Sequence, residues 1–159
     1  MNPIFKKLNF KDQKFAYIIN APESFHGPLN EMREYSQIKS SLTGAKDIMF
    51  FLAFVTKQKE VDDFAKKIND VAGDDAIVWF AYPKGTSKKY KCEFNRDNGW
   101  EILGKLGFEG VRMVAIDEDW SALRFRKAEK IKTMKRTFAM SEVGKEKVAS
   151  AKRRAAGKK

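Results

Sequence analysis

Three stretches of the chain are apolar at nearly every position, not at every second one: residues 15–20, 47–55 and 76–82. Strands buried on both faces read this way, so each predicts an interior strand of a sheet covered on both sides. Between the second and third, Val61, Phe64, Ala65, Ile68 and Ala72 recur at the spacing of one helical face. Thr56 is the expected cap of that helix and Gly73 its left-handed stop. A further helix is expected near 97–106, with Trp100, Leu103 and Leu106 on one side and Gly107 closing it. Residues 111–116 predict a fourth strand. From Ser121 to Arg126, Leu123 and Phe125 alternate with Arg124 and Arg126, the pattern of a half-exposed strand. With Asp117-Glu118-Asp119 as the turn, these two form a hairpin at one side of the sheet. Pro28 suits the first position of a short helix running to about Tyr35. Residues 36–42 suit an edge strand, and residues 1–14 read as loosely attached.

Strands alternating with helices imply parallel pairing. The expected fold is therefore a three-layer α/β domain over residues 1–126. Its sheet has four to five mostly parallel strands, helices on both faces and a C-terminal β-hairpin. Residues 127–159 follow as a basic tail, partly helical or disordered.

Composition agrees with a packed core. Of 159 residues, 43% are hydrophobic, and 13 of the aromatic side chains are Phe. Cys92 is the lone cysteine, which excludes an internal disulfide and suits a reducing compartment. The N-terminus shows no secretion signal. The longest apolar run is far short of the roughly 20 residues a membrane helix needs. A cytoplasmic protein with no membrane association is expected.

Charge changes the picture further. The net charge is +11. Residues 126–159 carry 13 Lys/Arg against 3 Glu, whereas residues 1–125 are nearly balanced. An excess gathered at one end points to an acidic partner, nucleic acid or another polyanion. Lys152, Arg153, Arg154, Lys158 and Lys159 are the candidate contacts. A solubilising end explains the same composition.

In an open parallel sheet, ligands bind beyond the carboxyl ends of the strands. Those ends deliver Asn20, Ser24 and His26 from the first strand and Thr56 from the second. The third delivers Lys84, Thr86, Ser87, Lys88 and Lys89. A polar, basic set of this kind suits an anion, such as a phosphate-bearing small molecule. Against it, Pro83-Lys84-Gly85-Thr86-Ser87 lacks phosphate-loop spacing and reads equally as a solvated turn. One His and one Cys exclude the common zinc sites, and no cofactor motif is present. A Cys92–His26 nucleophile pair requires the fold to bring them together. Asp117, Glu118 and Asp119 can hold a hard cation, but turn chemistry accounts for them better. Trp79 and Trp100 read as core; Trp120, at a turn, is the one indole placed to stack on a base.

Two segments carry a family likeness: Tyr82-Pro83-Lys84-Gly85-Thr86-Ser87-Lys88, and Asp119-Trp120-Ser121-Ala122-Leu123-Arg124-Phe125-Arg126. Through them, residues 76–126 resemble a bacterial family of small α/β proteins known only as a domain of unknown function. The resemblance implies the fold and a bacterial cytosolic setting, and it implies no activity. Without a convergent acid, base and nucleophile, the sequence favours a non-enzymatic binding module whose tail meets a polyanion. The alternative is a small enzyme or ligand binder using the strand-end anion pocket.

Overall fold

The structure, a computed structural model, describes residues 1–131. The tail candidates Lys152, Arg153, Arg154, Lys158 and Lys159 lie outside them. Six strands form one sheet: β1 (Phe15–Ile19), β2 (Gln37–Lys39), β3 (Ile48–Phe54), β4 (Ala72–Pro83), β5 (Phe108–Ala115) and β6 (Trp120–Lys127), in the order β2-β1-β3-β4-β6-β5. The first four are mutually parallel, and β6 runs antiparallel between β4 and β5. The α/β architecture with a terminal hairpin is as expected. The sheet holds six strands rather than four or five because residues 37–39 do pair at the edge.

The unbroken apolar strands work as their pattern requires. Successive side chains point to opposite faces, so Phe50, Leu52 and Phe54 enter one core and Phe51, Ala53 and Val55 the other. On the first face lie α1 (Pro3–Lys7), a 3₁₀ turn (Glu23–Phe25) and α2 (His26–Met32). On the second lie α3 (Gln58–Val71) and α4 (Glu101–Lys105). Val61, Ala65 and Ile68 of α3 are buried there with Trp100 and Leu103. Burying each such large side chain stabilises the fold by about 1.5–3 kcal/mol before ordering costs.

Five expectations need correction. Thr56 does not cap α3: Lys57 holds the N-cap position, and the Glu60 carboxylate accepts the N–H groups of Thr56 and Lys57. Residues 1–14 are not loose: Phe5, Leu8 and Phe10 are buried, and Trp79 Nε1 donates 2.8 Å to the Leu8 carbonyl oxygen. Asn2 caps α1 by accepting from the Ile4 N–H, with Pro3 at the first position. Gly73 does not end α3 in a left-handed turn. The chain passes straight into β4 through Ala72, and Asp75 takes the left-handed conformation (φ 53°) at an irregularity in the β3–β4 ladder. The helix expected over 97–106 shortens to α4, because an Asn95 turn and Gly99 (φ 92°) occupy its start. The helix expected from Pro28 begins two residues earlier, at His26, and stops at Met32. The left-handed Gly107 (φ 90°) follows α4 as expected.

The packed fold also runs past Arg126. Lys127 Nζ donates to Asn69 Oδ1 at 2.5 Å and to the Leu106 carbonyl oxygen at 2.7 Å. The Ala128 N–H reaches the Gly107 carbonyl oxygen, and Lys130 pairs with Asp74 at 2.8 Å.

Candidate functional site

A cleft of about 690 Å³ opens at the carboxyl end of β4, beneath the loop that joins β4 to α4. Its floor is Tyr82 and Pro83 with Ser121 of β6 and Met113 of β5. Its roof is formed by residues 84–87, 90–92 and 94–96 of that loop.

The loop is fastened at both ends. At its start, the Lys84 N–H donates to the Asp119 carbonyl oxygen at 2.8 Å, and Ser87 Oγ donates to Asp119 Oδ1 at 2.7 Å. At its far end, the Glu93 N–H donates to the Thr56 carbonyl oxygen, and Trp100 Nε1 to the Asn95 carbonyl oxygen at 2.9 Å. Pro83 pairs with Trp120 across the β4–β6 ladder, and the Tyr90 ring lies 4.9 Å from the Trp120 ring. Residues 82–88 and 119–126 are thus one structural unit. The fastened loop gives a preformed concavity of the size that small ligands use.

Of the strand-end candidates, Lys84, Thr86 and Ser87 line this cleft. The others are placed elsewhere. Lys88 and Lys89 are exposed, Lys89 lying over the Tyr90 ring. Asn20 and Thr56 belong to the crevice between β1 and β3, where both donate to the Glu60 carboxylate (3.3 and 3.4 Å). Glu60 Oε1 also accepts the N–H groups of Thr56 (3.0 Å) and Lys57 (3.1 Å). The neighbouring Gln58 N–H is taken by Glu93 at 2.9 Å. The amino end of α3, the natural anion seat in this fold, therefore already holds two of the protein's own carboxylates. Ser24 donates to Asp117 Oδ2 at 3.0 Å, tethering the β1 loop to the hairpin turn. His26 is exposed at the start of α2, on the opposite face of the sheet from the core against which Cys92 packs. No Cys–His pair forms.

Asp117 is occupied by turn chemistry. Its Oδ1 accepts the N–H groups of Asp119 and Trp120 at 2.8 and 2.9 Å. Among the described residues, no group of three or more His, Cys, Asp or Glu is placed to hold a metal. Trp120 is buried, edge-on to Phe54 at 5.1 Å, so it is core and not a base-stacking platform.

The chain also contributes residues that the sequence did not single out as ligand contacts: Lys91 and Arg96 from the loop, Tyr82 from β4, and Met113 and Ser121 from the hairpin. Lys84, Lys91 and Arg96 bring three cations to the cleft, and no Asp or Glu lines it. The imbalance was readable: residues 84–96 hold five cations against Glu93 alone. Tyr82 OH donates to Met113 Sδ at 3.2 Å. Burial pushes the Tyr82 phenol above its ordinary value, with Arg96 opposing. Burial likewise raises the Cys92 thiol, partly offset by a backbone hydrogen bond at Phe94. Cys92 is therefore a protonated wall residue and a poor nucleophile.

No protein-family model matches the chain, and no curated protein resembles it significantly. Among solved structures, a SAM-dependent methyltransferase from Aquifex aeolicus superposes over 79% of this chain and 88% of its own, with 12% identity and a TM-score of 0.56. A putative type 11 methyltransferase from Sulfolobus solfataricus covers 86% and 92%, at 10% identity and TM-score 0.46. At such identities the first likeness is one of fold, and it places the chain among Rossmann-like α/β folds. No helix among the described residues is long and apolar enough to cross a membrane.

Proposed function

We propose that this chain is a small-molecule binder, in an enzymatic or a sensing role, whose site is the cleft at the carboxyl end of β4 and whose ligand bears a negative charge. One observation carries the reading: three cationic side chains line a preformed cleft that no carboxylate lines. Ligand cations are repelled by such a wall, and an oxyanion gains from it. Among the described residues, only Arg96 of the three cations has an internal partner, an exposed pairing with Asp97 at 3.5 Å that is worth little. The hydroxyls of Thr86 and Ser121 add directional donors.

The fold neighbour raises methyl transfer from S-adenosylmethionine. The donor sets among the described residues do not fit that group. Its sulfonium and ammonium are cations, which the cleft's three cations disfavour. At the β1–β3 crevice, the Glu60 carboxylate already accepts from Asn20, Thr56 and Lys57. The turn after β1 is Asn20-Ala21-Pro22-Glu23, without the glycines that let a backbone approach a nucleotide.

The test is a titration with inorganic pyrophosphate and, separately, S-adenosylmethionine, followed by amide shifts. Pyrophosphate is expected to move residues 84–96 and to lose its effect in the Lys91→Ala/Arg96→Ala variant. Saturable S-adenosylmethionine shifts centred on Asn20, Thr56 and Glu60, with pyrophosphate silent at 84–96, would replace this reading with the methyltransferase one.

A second reading concerns the other end of the chain. The 13 Lys/Arg against 3 Glu in residues 126–159 support contact with nucleic acid or another polyanion, independent of the cleft. Engagement of about six phosphates makes affinity fall roughly a thousandfold between 50 and 200 mM salt. Salt-independent retention on unrelated duplexes would exclude it. We place the protein in the cytoplasm, on its lone cysteine.

A further inference from the structure

The cleft offers more than positive charge. Its volume far exceeds that of a bare oxyanion, and Tyr82, Tyr90 and Phe94 present aromatic carbon to it. Such walls suit a planar, apolar body. The Tyr82 hydroxyl on the floor is only weakly engaged. Its hydrogen bond goes to the Met113 thioether, a weak acceptor that an oxygen readily displaces. Met113 is also 45% exposed on an unbranched, flexible side chain, so it can move aside at little cost.

Resting on the anionic-ligand reading above, we propose that the cleft takes an aromatic phosphate monoester. Its phosphate meets Lys84, Lys91 and Arg96, its ring lies against the aromatic walls, and the Tyr82 hydroxyl turns from Met113 to an oxygen of the ligand. Burial keeps the phenol protonated, so it remains a donor through neutral pH.

Calorimetric titration of the full chain with phenyl phosphate, inorganic phosphate and phenol tests this directly. Phenyl phosphate is expected to bind about tenfold or more tightly than either fragment, since charge and ring contribute together. Tyr82→Phe is expected to weaken phenyl phosphate roughly three- to tenfold, the effect of one hydrogen bond, at an unchanged melting profile. Met113→Leu, which removes the competing acceptor, is expected to leave that affinity unchanged or improve it. Equal affinity for inorganic and phenyl phosphate would overturn the proposal while sparing the anion site. So would a Tyr82→Phe chain that binds like the parent, or equal weakening in both variants, which would make the effect one of packing. Failure of all three probes to bind, with pyrophosphate also silent, would overturn the anion reading itself.

Discussion

Gly99 is where the backbone around the site has least freedom. Its φ of 92° lies in a region that side chains rarely adopt, and an added Cβ would sit 2.5 Å from Phe94 Cβ and 2.9 Å from Gln58 Oε1. The contact is with the base of a side chain, so a rotamer change does not relieve it. Gly99→Ala is expected to destabilise the fold by about 2–4 kcal/mol, read as a lower urea midpoint. Because Phe94 walls the cleft, the same variant should bind pyrophosphate more weakly. The left-handed Asp75 is a different case. Its carboxylate takes two bonds from Arg126, Nε at 2.7 Å and Nη2 at 2.6 Å. That hydrogen bonding, chiefly, holds its pKa below the usual carboxylate value, against an opposing cost of burial. A depressed folded pKa stabilises above the unfolded value, near 3.9, and loses that contribution as pH falls through the folded one. About a third of each side chain is exposed, so the pair is worth at most about 1 kcal/mol. Asp75→Asn keeps a residue that tolerates positive φ. It should lower stability by that amount at pH 7, and the gap to the parent should narrow as pH falls below the unfolded value and close below the folded one. A gap that persisted at low pH would assign the effect to packing.

At the scale of elements, the three central strands were legible because burial on both faces leaves an unbroken apolar run, as Phe50 to Val55 show. The N-terminal helix was not. Its apolar positions, Ile4, Phe5, Leu8 and Phe10, are interleaved with Lys6 and Lys7, and five residues are too few for a helical period to emerge. What fixes α1 is tertiary: the Trp79 indole bond to Leu8 and the Phe5 ring 5.7 Å from Phe25. The start of β4 was hidden for another reason. Gly73-Asp74-Asp75 reads locally as a stop, yet Arg126 and Lys130, more than fifty residues away, anchor those aspartates beside the strand. The site was half legible. Lys84, Thr86 and Ser87 come from the loop that the strand-end rule names. Tyr82 was read as the end of a buried strand and, with Ser121, as part of a family resemblance that implies no activity; Met113 was read only as part of a hairpin. Their meeting is a consequence of β6 lying antiparallel beside β4, which the order of elements along the chain does not reveal.

For the molecule as a whole, the residues just after β6 decide where the body ends. A chain stopping at Arg126 forfeits the Lys127 bonds to Asn69 and Leu106, the buried Ala128 and the Lys130–Asp74 pair. It is expected to melt several degrees lower than a chain stopping at Ile131, which keeps them all. Equal melting profiles would move the boundary back to Arg126. Either shortened chain should lose salt-sensitive retention on DNA if residues beyond 131 supply it.

The antiparallel course of β6 has a spatial consequence. The strand starts beside the cleft, where Trp120 pairs with Pro83, and its last residue, Lys127, opposes Phe108 at the far end of the hairpin. The chain therefore leaves the described fold at the pole away from the cleft, an eight-residue strand or about 26 Å distant. The Debye length at physiological ionic strength is only about 8 Å. A phosphate backbone gripped near that exit is electrically invisible from Lys91 and Arg96, so the two kinds of anion should occupy the molecule additively. If a duplex is gripped within the first few residues past that exit, saturating it should leave the pyrophosphate dissociation constant at the cleft unchanged, so that one molecule holds a small anion while standing on a large one.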